Sequence, residues 1–139
     1  MLKRKRTQGG QSMVESAFTM TIFIAMFVGI IDFGQFLYFH QSLVDRARSA
    51  VRYAAVNPTA TQTMVQQYTV YNDATATSGT PTIAGLTTSM VTLTRTGTSG
   101  TSDANVNVTI TGYPISYLSL WVAGVRTTSV AANLPSEAP

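Results

Sequence analysis

From Ser16 to Ile31 the chain reads SAFTMTIFIAMFVGII without a charged residue, and the apolar character continues past Asp32 through FGQFLYF. Taken from Met13 to about Phe33, the run is roughly 20 residues, the length at which a helix crosses a bilayer. Beyond it the pattern changes. Phe33, Phe36, Leu37, His40, Leu43, Val44, Ala47, Ala50, Val51, Ala54 and Ala55 recur at helical spacing, with Gln35, Ser42, Asp45, Arg46, Ser49 and Arg52 on the other side. The two patterns predict one helix from about residue 12 to 56, apolar all round in its first half and amphipathic in its second. Asn57-Pro58 ends it, because proline disfavours helical geometry in the residue before it. The stripe that carries Phe36, His40, Leu43, Ala47 and Val51 needs a partner, since it would otherwise leave a large apolar surface in water.

That partner is expected from residues 57–139. TATQTMVQQYTVYNDA predicts a short helix, with Met64, Tyr68 and Tyr71 spaced for one face, and TATSGTPTIAG reads as loop. Three runs rich in β-branched residues, 89–95, 105–111 and 126–133, predict strands. TGTSGTSDA joins the first two as a hairpin connection. GYPISYLSLWVAG is a longer excursion, whose Tyr113, Tyr117, Leu118, Leu120 and Trp121 are expected to pack on the sheet. The predicted class is α+β: a long N-terminal helix, transmembrane then amphipathic, carrying a small antiparallel β-sheet head.

Charge refines this picture. Lys3, Arg4, Lys5 and Arg6 supply four of the nine basic residues; without residues 1–10 the remainder holds five Lys and Arg against six Asp and Glu, a net −1. The basicity belongs to the first ten residues, and nucleic-acid binding has no support downstream. Basic residues before the span predict a cytoplasmic N-terminus and an extracytoplasmic head. Threonine fills 17 of the 56 positions from Asn57 to Gly112, which suits an exported β-rich module. The chain has no cysteine, so disulfides, thiolate metal sites and a thiol nucleophile are excluded. The single histidine, His40, lies on the apolar stripe without companions in helical reach and reads as a packed interface side chain rather than a ligand or base. No catalytic constellation, metal site or cofactor site is predicted, and the chain does not read as an enzyme.

The remaining chemistry lies at the start. RTQGGQSMVESAF places Gly9, Gly10 and a lone carboxylate, Glu15, between the basic block and the apolar run. A cut after Gly10 would make Gln11 the first residue and Glu15 the fifth, leaving the apolar segment on the mature chain, as in a type IV pilin-like leader. An acid inside a membrane helix costs on the order of 2.5–3.5 kcal/mol, so it needs a partner. The new α-amino group at Gln11 of an incoming subunit is such a partner for Glu15 of the chain before it. Ala17, Thr21, Ala25 and Gly29 form a ridge of small residues at every fourth position, suited to close helix approach in lipid.

GQSMVESAF, followed by FVGIIDFGQFLYFHQSLVDRARSAVRYAAV, resembles the TadE-like family, small pilin-like proteins of the Flp or tight-adherence type IV pilus. The resemblance covers residues 9 to 56. It implies processing by an aspartyl prepilin peptidase and a minor-pilin role in a pilus that supports adhesion. Two positions depart from the pattern: Ser16, where the family usually has a large apolar residue, and Thr21, where it often has proline. The expected division is then a cleaved leader, 1–10, a pilin-like helix, 11–56, and an exported head, 57–139. The expected partners are the peptidase, other pilin subunits and, before assembly, the bilayer. The alternatives are an uncut, single-pass anchored binding module and the main subunit of such a filament.

Overall fold

A computed structural model describes residues 9–97, 104–115 and 126–135. Helix α1, Gly9–Val56, runs for 48 residues without interruption, about 72 Å at 1.5 Å per residue. It passes through Gly29 and Gly34 unbroken and starts three residues earlier than the periodicity predicts, so Gly10 and Gln11 lie in its first turn. At the far end Asn57 ties off the helix, its backbone N–H and side-chain amide both donating to the Tyr53 carbonyl at 3.1 and 2.9 Å.

Helix α2, Gln62–Tyr71, is capped at both ends: the Thr61 hydroxyl accepts from Met64 N–H, and Asn72 closes the C-terminus at φ 61°, its N–H donating to Tyr68 O. Its buried face is Val65, Thr69 and Val70; Met64, Tyr68 and Tyr71, the face expected from spacing, are only half-buried. They flank the contact, and Tyr68 is turned aside to stack on Tyr53 of α1, with ring centroids 4.4 Å apart. Thr69 can occupy the buried face because its hydroxyl donates to Val65 O at 2.6 Å within the helix. The loop that follows is anchored as well as irregular: the Thr82 N–H and hydroxyl both donate to Val70 O, and Ile83 and Leu86 are buried. Where it leaves α2, Thr75 donates its N–H and its hydroxyl to the Asp73 carboxylate, which these bonds hold below its ordinary pKa.

After a 3₁₀ turn, Thr88–Met90, the strands β1, Val91–Thr96, β2, Asn105–Ile115, and β3, Arg126–Pro135, form an antiparallel sheet in the order β1-β2-β3. The expected meander is present, with β2 four residues longer than its β-branched run. Its inner face carries Val91, Val106, Val108, Ile110 and Val130; the outer face carries Thr92, Thr94, Asn107, Thr109, Ser129, Ala131 and Asn133. Thr92, Thr94 and Thr109 thus occupy the solvent side of a one-sided sheet, while most of the other threonines lie around α2 and in the loops. The inner face packs on α1, and Leu43, Ala47, Ala50, Val51 and Ala54 of the helix are buried in the same core. A buried leucine or valine there contributes about 1.5–3 kcal/mol.

A bulge extends β2 past its β-branched run. The register shifts between Ile110 and Tyr113, so Thr111 and Gly112 face one residue, Ser129, on β3. The extra residue moves the inward phase from even to odd positions: Val106, Val108 and Ile110 give way to Tyr113 and Ile115, and the strand keeps burying side chains. Pro114 is tolerated because the pairing of β1 ends at Ile110, leaving that side of β2 without a neighbour. Of the aromatic excursion only Tyr113 is described, and it is buried in β2; Tyr117, Leu118, Leu120 and Trp121 lie outside the described residues.

Gly112 holds φ 77°, and a Cβ there would meet nothing within 4 Å. Gly112→Ala therefore tests the backbone alone and should lower the unfolding free energy of the detergent-solubilised protein in urea by about 1 kcal/mol, with Gly112→Asn closer to the parent.

Candidate functional site

The first half of α1 carries its own polar groups. Ser16, Thr19 and Thr21 each donate a side-chain hydroxyl to the carbonyl four residues back, on Ser12, Glu15 and Ala17, at 2.9, 3.0 and 2.8 Å. Each hydroxyl is thereby satisfied inside the helix, which suits a segment with no water beside it. At Thr21, where the resemblance would admit a proline, the helix continues and the hydroxyl back-bonds instead.

Around this backbone the surface is bare. Met13, Val14, Phe18, Met20, Ile22, Phe23, Ile24, Met26, Phe27 and Ile30 are all exposed. An 18-residue window of the helix has mean hydropathy 2.0 and no buried residue, so by length and composition the helix can cross a membrane. A continuous apolar surface of this size needs an apolar environment or other copies of such a surface.

Gly10, Gln11 and Glu15 are exposed on this part of the helix, and Glu15 lines a shallow groove with Ser12, Ser16, Thr19, Met20 and Phe23. Ala17, Thr21, Ala25 and Gly29 are also exposed, and a Cβ at Gly29 would meet nothing within 4 Å. The chain's own fold thus leaves these positions uncovered.

The second half is covered by the head. Leu43, Ala47 and Val51 are fully buried, while Phe36 and His40 are half-buried and stack at 5.9 Å between ring centroids. The Nδ1 atom of His40 is buried without a hydrogen-bond partner. Phe33 and Leu37, assigned by periodicity to the same stripe, are exposed; the residue that meets the sheet is Phe39, 6.0 Å from Tyr113 between ring centroids. Among the described residues it is the bulged end of β2, through Tyr113, that meets this part of the helix at Phe39. Asp32, at the lower edge of the covered length, is 6% exposed and engaged in an interaction.

Two groups fasten the head: Arg95, which the sequence did not single out, and Tyr113, expected from the sequence only to pack on the sheet. Arg95, on the inward-facing phase of β1, donates through Nη2 to the carbonyls of Ala54, Asn57 and Ala60 at 3.1, 3.3 and 3.3 Å, a cation at the end of α1 where helix carbonyls lack partners. Tyr113 donates its hydroxyl to Ala84 O at 2.8 Å and ties the bulged strand to the 82–86 loop. Its parity with Val91, Leu93 and their neighbours could have identified Arg95 as inward-facing; no sequence signal announced the bulge that turns Tyr113 inward. Among the described residues no group of three or more His, Asp or Glu side chains is placed to hold a metal ion.

Burial raises the pKa of the Tyr113 phenol above its ordinary value of 10.0. The unfolded chain then releases this proton first, so Tyr113 contributes its full stability below about pH 10 and loses it as pH rises through the folded-state value. Tyr113→Phe should be less stable than the parent by about 1 kcal/mol at pH 7. In urea titrations across the alkaline range, that difference should shrink above pH 10.

No curated protein and no solved structure matches the chain. Residues 10–52, the apolar half of α1 together with most of the stripe that the head covers, match the family model described as TadE-like protein, and it is over that length that the chain is similar to the family.

Proposed function

We propose that this protein is a pilin-like subunit of a Flp or tight-adherence pilus system. It is cut after Gly10 by a prepilin peptidase, held in the cytoplasmic membrane by α1 with its head outside, and assembled through that helix into a filament that supports adhesion. The observation that supports this most directly is the division of α1: its TadE-like length is half covered by the head and half left bare, with Glu15 on the bare half. Release from the bilayer into a bundle of like helices exchanges lipid contacts for helix contacts, so the bare half suits both states. The role is mechanical and associative rather than catalytic. An uncut anchor would keep Met1 and the basic block, and the mass of the purified protein separates the two readings.

Gly10 is the position to change first, because a side chain there meets nothing among the described residues within 4 Å. Gly10→Leu should leave the fold intact and the protein full length in the membrane, whereas the parent should begin at Gln11 by mass spectrometry. Normal processing of that variant would remove the support for a pilin-like leader.

Glu15→Ala should insert into the membrane as well as the parent or better, since it removes a charge from an apolar helix. Its recovery in sheared filaments or pilus complexes should nonetheless fall, because the Gln11 amine of the next subunit would lose its partner in a dry contact, on the order of 3–5 kcal/mol. Glu15→Gln should restore assembly in part. Equal assembly of Glu15→Ala and parent in the same cells would show that Glu15 does not join subunits.

A further inference from the structure

The head and the bare part of α1 meet at a fixed depth. The apolar run from Met13 to Phe33 is 21 residues, about 31 Å of helix, close to the hydrocarbon thickness of a bilayer. Coverage of the helix begins at the upper end of this run, where Asp32 is buried. The polar layer of a bilayer adds about 5–7 Å on each side, some four or five residues of helix, so the turn from Gly34 to Tyr38 stands at headgroup depth if the bare length is in the membrane.

At that level an open cleft of about 690 Å³ separates helix from head, lined by Gly34, Gln35, Tyr38, Phe39, Ala84, Gly85, Tyr113 and Pro114. None of the described lining residues is charged. Gly34 and Tyr38 are four residues apart on α1, and the absence of a side chain on Gly34 leaves the cleft open below the Tyr38 ring, which is 69% exposed. Phe33 and Leu37, exposed beside it, continue the bare surface of the span upward into the cleft. Tyrosine at a membrane boundary places its ring among the acyl-glycerol groups and its hydroxyl in the polar layer.

We propose that the foot of the head, formed by Tyr38 and Phe39 of α1 with the Ala84–Gly85 loop, is a second membrane contact. Before assembly it rests in the interfacial layer, and the cleft is occupied by lipid at the headgroup–acyl boundary. The bilayer is favoured over a second copy of the chain because the cleft is continuous with the bare span and lies at the depth that the span sets. This inference rests on the membrane-anchored reading of α1. It adds that the head is seated on the surface rather than held clear of it.

The chain has no cysteine, so single labels can be placed by substitution. Ile22→Cys reports the span, Ala84→Cys the foot, and Thr94→Cys the outer face of the sheet. Each full-length variant, labelled with a nitrobenzoxadiazole fluorophore, is reconstituted at low density into phosphatidylcholine vesicles carrying a nitroxide either deep in the acyl chain or near the headgroup. Loss of emission is expected at position 22 with the deep nitroxide, at position 84 with the shallow one, and at position 94 with neither. Adding Tyr38→Asp to the Ala84→Cys variant should abolish the shallow quenching while a companion Ile22→Cys, Tyr38→Asp protein keeps its deep quenching. If position 84 behaves like position 94 while position 22 is still quenched, the seated head is wrong and the anchor stands. If position 22 is not quenched, the membrane-anchored reading fails as well. Protection of position 84 that appears only as protein density rises would assign the cleft to a second copy and overturn the proposal.

Discussion

A single unbroken helix must satisfy two environments, and the rest of the molecule is arranged around that requirement. Along its later length α1 presents an aliphatic stripe that one small sheet can cover, and there Leu43, Ala47 and Val51 disappear from solvent. Along its first twenty residues after Gly10 the apolar groups point in all directions, and no sheet of this size could cover them. A three-stranded meander alone would be marginal in stability, and a helix of this composition alone would be insoluble. Each therefore relies on the other or on a surrounding phase, and the head has no core that excludes the helix.

The grip of the head on the helix is built at its two ends. At the far end the Arg95 guanidinium gathers three carbonyls from the end of α1 and the turn beyond it. At the near end the bulge at Gly112 reverses the phase of β2, so that Tyr113 meets Phe39 and bonds to Ala84. Between them, α2 closes the side of the core, with Gln66 donating to Val91 O and Arg46 of α1 donating to Asn72. Without the bulge, strict alternation would turn Tyr113 and Ile115 to the solvent side, and the coverage of α1 would stop short of its apolar half.

The large elements were legible because each depends on a periodicity of its own. The aliphatic stripe has helical period, the three strands are β-branched runs, and Asn57-Pro58 marks the helix end without ambiguity. What escaped reading depends on tertiary choices. Met64, Tyr68 and Tyr71 share a face by spacing, yet that face lies to one side because Val65 and Val70 fit the core and Tyr68 prefers the Tyr53 ring. Phe33 and Leu37 belong to the stripe by period and are exposed, whereas Asp32, Phe36 and Phe39 at the same level are covered, so there the covered face includes only one side of the predicted stripe. Ile83 and Leu86 sit in a loop by every local signal and are buried because Thr82 pins that loop to Val70. Of the candidate site, Gly10, Glu15 and the small ridge were readable as a pattern, and the structure adds that the chain itself leaves them uncovered.

The direction of β2 relative to the helix has a mechanical consequence. Its first residues lie near the end of α1, beside the Arg95 clamp, and its last lie against Phe39, so the strand runs back along the helix in the opposite sense. A tensile load applied along α1 would meet the head as a lap joint. Force would pass in parallel through the Arg95 contacts, the aliphatic layer and the Tyr113 tether, and the joint would slide only if all three yielded together. A head attached at one point would instead peel contact by contact. The same geometry that hides an apolar stripe from water thus also distributes traction over the whole seam.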